Sequence, residues 1–133
     1  MSILEEGLFT YLSTHTGVSA LVDERIYPYK LPQNPTFPAI KYRQLSNTDF
    51  RSHGGSSGLN RKRMELFCYA AEYLAAKQLA DALRLALNNF SGSMGTVQTP
   101  AVFRQNTDDE YDEEEKVYFV IVDYFIYHVE AVS

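Results

Sequence analysis

The sequence predicts an α+β fold, an antiparallel or mixed β-sheet with two main helices packed on one face. Three observations carry this. Residues 2–15 and 72–90 repeat apolar side chains at helical spacing. The chain as a whole is rich in rings that favour strands, with ten Tyr, eight Phe and no Trp, most of them outside those two segments. The elements then follow one another as helix, short helix, three strands, helix and two strands, an order that places helices on one side of a sheet. At 133 residues and 45% hydrophobic, the chain is long enough to bury one core without metal or disulfide support, so residues 1–133 read as a single domain.

The first helix opens with Ser2-x-x-Glu5, a candidate capping box, and sets Ile3, Leu4, Leu8, Tyr11 and Leu12 on one face. Gly17 breaks it, and "VSALVD" supports one more short turn. In "RIYPYKLPQNPTFPAIKY" the prolines at 28, 32, 35 and 38 exclude a helix and leave short extended pieces. Phe37 to Leu45 reads as a strand, and residues 46–60, "SNTDFRSHGGSSGLN", as a flexible turn-rich loop. Leu59 to Ala70 is the returning strand, with Met64, Leu66, Cys68 and Ala70 on one face. From Glu72 to Phe90 a helix shows Lys77, Asp81, Arg84 and Asn88 on its polar side. Leu74, Leu79, Ala82, Leu83, Ala86 and Phe90 form its apolar side. "SGSMG" ends it, "TVQTPAVFRQ" is a strand in which Pro100 marks an edge or a bulge, and an acidic turn leads to a final strand at 117–130.

That final strand is apolar on both faces. Val117, Phe119, Ile121, Phe125, Tyr127 and Val129 form one, and Tyr118, Val120, Val122, Tyr124 and Ile126 the other. Two helices cover one face of a sheet this size, so the second needs another cover, either the loop at 25–38 or, the favoured reading, a neighbouring subunit. Asp123 interrupts only the Phe125 face. A buried carboxylate without a partner is costly, so that face is expected nearer solvent or a subunit boundary, with the Val122 face in the core.

Charge is distributed as unevenly as hydrophobicity. Residues 25–63 hold eight of the twelve Lys and Arg with only Asp49 against them, although the chain carries a net −5. The opposite extreme is "DDEYDEEE" at 108–115. Such a split suits docking between complementary protein surfaces. The candidate interface residues are therefore Arg51, His53, Arg61, Lys62 and Arg63 on the basic side. Asp108, Asp109, Glu110, Asp112, Glu113 and Glu114 stand on the acidic side, with Asp123 and Phe125 on the last strand. The segment 51–63 also reads as a plain solvated loop or as a phosphate-contacting one, but no aromatic lies between Arg51 and Arg63 to stack on bases.

No enzyme is legible. His15, His53 and His128 stand in unlike contexts without a G-x-S-x-G nucleophile, "HGGSSG" lacks the Lys-Ser/Thr ending of a phosphate cradle, and the acidic run lacks EF-hand spacing. No catalytic residue, metal or cofactor is expected. Cys68 is the one cysteine, the N-terminus has no basic leader, and the longest apolar run, Val117 to Val122, is far too short to span a bilayer. The expectation is a cytosolic protein without a membrane partner.

Two segments carry a resemblance. "ALVDERIYPYKLPQNPTFPAIKYRQLS" (20–46) resembles the Arg-Ile-Tyr, Leu-Pro-Gln, Phe-Pro-x-Ile pattern of the tail completion, or tail terminator, proteins of long-tailed bacteriophages. "GLNRKRMELFCYAAEYLAAKQLADALRLAL" (58–87) is similar to that family's following strand and helix. The resemblance implies a non-enzymatic protein that caps the finished tail tube as a homo-oligomeric, six-membered ring and joins tail to head. Its partners would be further copies of itself, the tail tube protein and the head-tail connector. It would have no sequence-specific nucleic-acid target, and would sit in the host cytoplasm during assembly and afterwards in the virion. The alternatives are a head-side connector or stopper of the same virion and, further off, a nucleic-acid-binding module.

Overall fold

The structure, a computed structural model, describes residues 3–52, 55–88 and 90–129, the side chains of 51–57 excepted. Helices α1 (Leu4–Thr14) and α2 (Thr16–Val22) lead into a short strand β1 (Ile26–Pro28) and a long hairpin of β2 (Ala39–Ser52) and β3 (Gly55–Ala70). Helix α3 (Tyr73–Leu87) follows. After it come a small hairpin of β4 (Gly92–Met94) and β5 (Val97–Thr99) and a second long one of β6 (Ala101–Asp112) and β7 (Val117–Val129). The main sheet has the order β1-β2-β3-β7-β6, and every neighbour pair is antiparallel except β1 with β2. The fold is α+β with a mixed sheet, as the sequence predicts.

The helices line one face. Leu4, Leu8 and Leu12 of α1, Val18 and Val22 of α2, and Ala76, Leu79, Leu83, Ala86 and Leu87 of α3 pack on Ile40, Met64, Leu66, Cys68, Val120, Val122, Tyr124 and Ile126. The core face of β7 is the one that avoids Asp123. Tyr118, at the end of that row, stays partly exposed against Tyr73 and Tyr111. Leu74 does not join the core. It lies about half a turn from the Leu79–Leu83 stripe, on the solvent side, 66% exposed.

Other expectations are corrected in detail. Helix α1 is preceded by Ile3 in extended conformation with no side-chain cap, and Ser2 lies outside the described residues. Residues 46–52 and 55–60 are strand, not loop. β2 continues to Ser52 and β3 starts at Gly55, with Ser46 to Asp49 paired against Arg63 to Asn60 and bulges between Gln44 and Ser46 and between Asp49 and Arg51. Asn, Asp and Gly lower strand propensity, but a ladder continued from an already paired hairpin offsets it. The acidic run is likewise mostly strand: Asp108 to Asp112 extend β6, and the turn is confined to 113–116, where Lys116 has a positive φ. Pro100 stands between β5 and β6, beside an edge strand as expected.

On the second face the cover is divided. Leu31 and Phe37 from the loop after β1 pack on Phe67, Tyr69 and Val117, with Phe119 and Ile121 beside them. The far half, around Phe103, Phe125 and Tyr127, lies beyond that loop.

Candidate assembly interface

The basic candidates separate by strand parity. Arg61 and Arg63 point to the open face, whereas Lys62 points between them to the helix layer. The Arg61 guanidinium lies 4.6 Å from the Phe125 ring centre and 5.8 Å from that of Phe50. Phe50 stacks on Tyr127 at 6.0 Å, and Phe103 meets Tyr127 edge-on. The result is a patch of rings with a cation laid across it, the composition of binding hot spots. Arg63 donates to Asp123 Oδ2 at 2.8 Å, so Asp123, buried at 6% exposure, is paired through that oxygen, while its Oδ1 has no hydrogen-bond partner among the described residues. The face that carries Asp123 lies away from the helices, and on it the carboxylate itself is shielded by Arg63. Lys62 Nζ donates to both oxygens of Glu5 at 2.9 and 3.1 Å, an ion pair inside the subunit that ties β3 to α1. The Arg51 backbone pairs with Ser56, and His53 lies outside the described residues.

The acidic candidates also part. Asp108, Glu110 and Asp112 share the open face of β6, and Asp109 faces the helices. There Asp109 accepts from the Tyr73 hydroxyl at 2.8 Å and from Lys77 Nζ at 3.1 Å. These bonds, that of Tyr73 foremost, hold its carboxyl below the usual carboxylate range. Asp112 accepts from the backbone N–H of Glu114 and Glu115, both at 3.0 Å, which closes the turn and leaves Glu113 and Glu114 exposed.

Strand register then fixes where the two groups stand. Arg61 lies across from Tyr127, near the hairpin tip, while Asp108 to Asp112 lie across from Ile121 to Val117, at the other end of β7 and on the opposite sheet edge. The subunit is therefore polar along a diagonal, with its basic hairpin end and its acidic strand at opposite corners.

Residues 6–128 match the family described as Tail completion protein gp17. The chain belongs to that family. Membership gives the tail completion protein a structural part in phage tail assembly and a place in the virion. No curated protein matches it in sequence. A chain of the solved structure described as "Virion of native gene transfer agent (GTA) particle" is similar in fold, with 15% identity and a TM-score of 0.73 over 95% of this chain and 94% of that one.

Sequence reasoning passed over several residues of the tail completion protein's open face. Lys41 stands 4.1 Å over the Phe67 ring, Arg43 bonds Glu65 at 2.6 Å, and Phe50 and Phe103 join Tyr127, already read on that face, in the ring patch. The signal for Lys41 and Arg43 is their alternation with Ile40 and Tyr42. Phe50 gave none, because it sits in a stretch that reads as loop.

Proposed function

We propose that the protein closes head to tail into a ring on the finished tail tube, ends tube growth and presents the ring to the head connector. The diagonal charge polarity carries this reading. Two unlike patches on one subunit define a heterologous contact, and such contacts close into rings when the rotation permits. Arg61, Phe50, Phe125 and Tyr127 supply the aromatic and cationic patch on one side, and Asp108, Glu110 and Glu113 the carboxylates on the other. Individually such exposed pairs are worth about 0–1 kcal/mol, so the contact depends on the rings being covered as well.

Negative-stain images of the purified protein, alone and with tail tubes, test the reading. Rings on tube ends are expected, six-membered on the family resemblance, and Arg61→Glu is expected to remove them while circular dichroism stays unchanged. Arg63→Glu is a poorer probe, because it leaves Asp123 buried without its partner. Tubes that stay bare with the wild-type protein would refute the reading.

A further inference from the structure

The sheet has two open edges, and they differ in charge. β1 pairs with β2 only as far as Tyr42, so the outer edge of β2 from Arg43 onward has no strand beside it among the described residues. At the opposite side, no strand among the described residues pairs with the outer edge of β6 from Ala101 to Asp112. Long unpaired edges are templates for another strand and are ordinarily shortened or covered. Here both carry exposed apolar side chains, Leu45 on β2 and Phe103 and Tyr111 on β6.

Charge decides what each edge accepts. β6 carries Asp108, Asp109, Glu110 and Asp112 against Arg104 alone. The β2 edge beyond Tyr42 carries Arg43 and Arg51 against Asp49, and behind it on β3 Arg61 and Arg63 face the open side. Two β6 edges brought together would set carboxylates against carboxylates, an arrangement that destabilises a ladder. β6 against β2 sets opposite charges side by side.

Resting on the ring reading above, we propose that copies of this chain join through the backbone: the β6 edge of one subunit, from Asn106 to Asp112, adds as a strand to the β2 edge of the next, beyond Tyr42. The sheet then runs on from subunit to subunit, and each copy uses both of its edges once. The bulges between Gln44 and Ser46 and between Arg104 and Asn106 interrupt the edges and so restrict the registers that fit.

Hydrogen exchange and a proline pair test this. In assembled rings, outward amides of 106–112 and 43–50 are expected to exchange on the order of 100-fold more slowly than in free subunits. Successive N–H groups along an edge strand point alternately inward and outward, so of Thr107→Pro and Asp108→Pro one breaks the ladder to β7 and the other removes only an outward donor. The outward variant is expected to keep the wild-type melting temperature and lose ring formation, while Thr107→Ala and Asp108→Asn keep both. Rings whose edge amides exchange as in the free subunit, or an outward proline that assembles normally, would overturn the strand addition and leave the ring intact. If both prolines unfold the chain, the exchange measurement decides alone. Failure of the wild-type chain to form rings overturns the ring reading and this inference with it.

Discussion

Lys62 occupies a strand position whose row continues through Met64, Leu66 and Cys68, so its ammonium has little water and one partner, Glu5. Removing one member of such a pair strands the other. Lys62→Ala is therefore expected to cost about 1–3 kcal/mol in urea denaturation, less than a fully buried pair because Glu5 keeps some contact with solvent. Lys62→Met with Glu5→Leu should return close to wild type, since the pair and its desolvation go together. A second residue-scale expectation concerns alkali. Burial pushes the Cys68 thiol up to about 12, and the phenols of Tyr69 and Tyr124 to about 12 as well. Unfolded, these groups ionise near pH 8.5 for Cys and about 10 for Tyr. A raised pKa in the fold means that the unfolded chain loses protons first, so stability is intact below about pH 8.5 and falls as pH rises toward 12. The slope is about 1.4 kcal/mol per pH unit for each group in its window. Cys68→Ala should abolish the part of that slope between about pH 8.5 and 10, read from thermal melts in that range.

At the scale of elements, α1 approaches the β4–β5 hairpin closely, so that a side chain on Gly7 would run into the Met94 carbonyl. Gly7→Ala raises helix propensity by about 1 kcal/mol, but displacing backbone costs about 1–3 kcal/mol or more. Overall destabilisation is expected, with a melting temperature lower by several degrees. The fold's long helices and final strand were legible because their patterns are long and amphipathic: Leu79, Leu83 and Ala86 announce α3, and the uninterrupted row Val120, Val122, Tyr124 and Ile126 announces the core face of β7. The distal β2–β3 hairpin was not legible. Its Ser, Asn and Gly residues describe a turn locally, and what makes them strand is the ladder they continue. The candidate site shared that fate in part. Charge segregation named Arg61 and the β6 carboxylates; the parity of the strand read at 59–70, with Met64 and Leu66 on its core face, also turns Lys62 inward and Arg61 outward, but charge alone grouped the three cations together.

Taken as a whole, the molecule puts its helices on one face and leaves half of the other to the ring patch, so equal insults to the two faces should have unequal results. Val122→Asp sets a charge at a position of the main core cluster that is only 2% exposed and is expected to unfold the subunit. Phe125→Asp, on the half-covered face beside Arg61, should leave a folded subunit that no longer assembles; circular dichroism and gel filtration separate the two. The β3–β7 ladder holds a further consequence. It alone joins the hairpin of β2 and β3 to the hairpin of β6 and β7 within the main sheet, pairing residues as remote in sequence as Leu59 and Val129. Each hairpin closes locally, but this seam demands closure of the long chain segment that includes α3 before it returns any contact, and ordering of that kind sets folding speed. Refolding should therefore be slowed by Leu66→Ala or Val122→Ala, whereas Leu8→Ala in α1 should chiefly quicken unfolding, a contrast that the two arms of a denaturant-dependent rate plot display directly. A subunit whose halves meet late spends its folding time with the seam edges of β3 and β7 bare, so the rate at which the seam closes limits how long a newly made chain is open to pairing with the wrong neighbour.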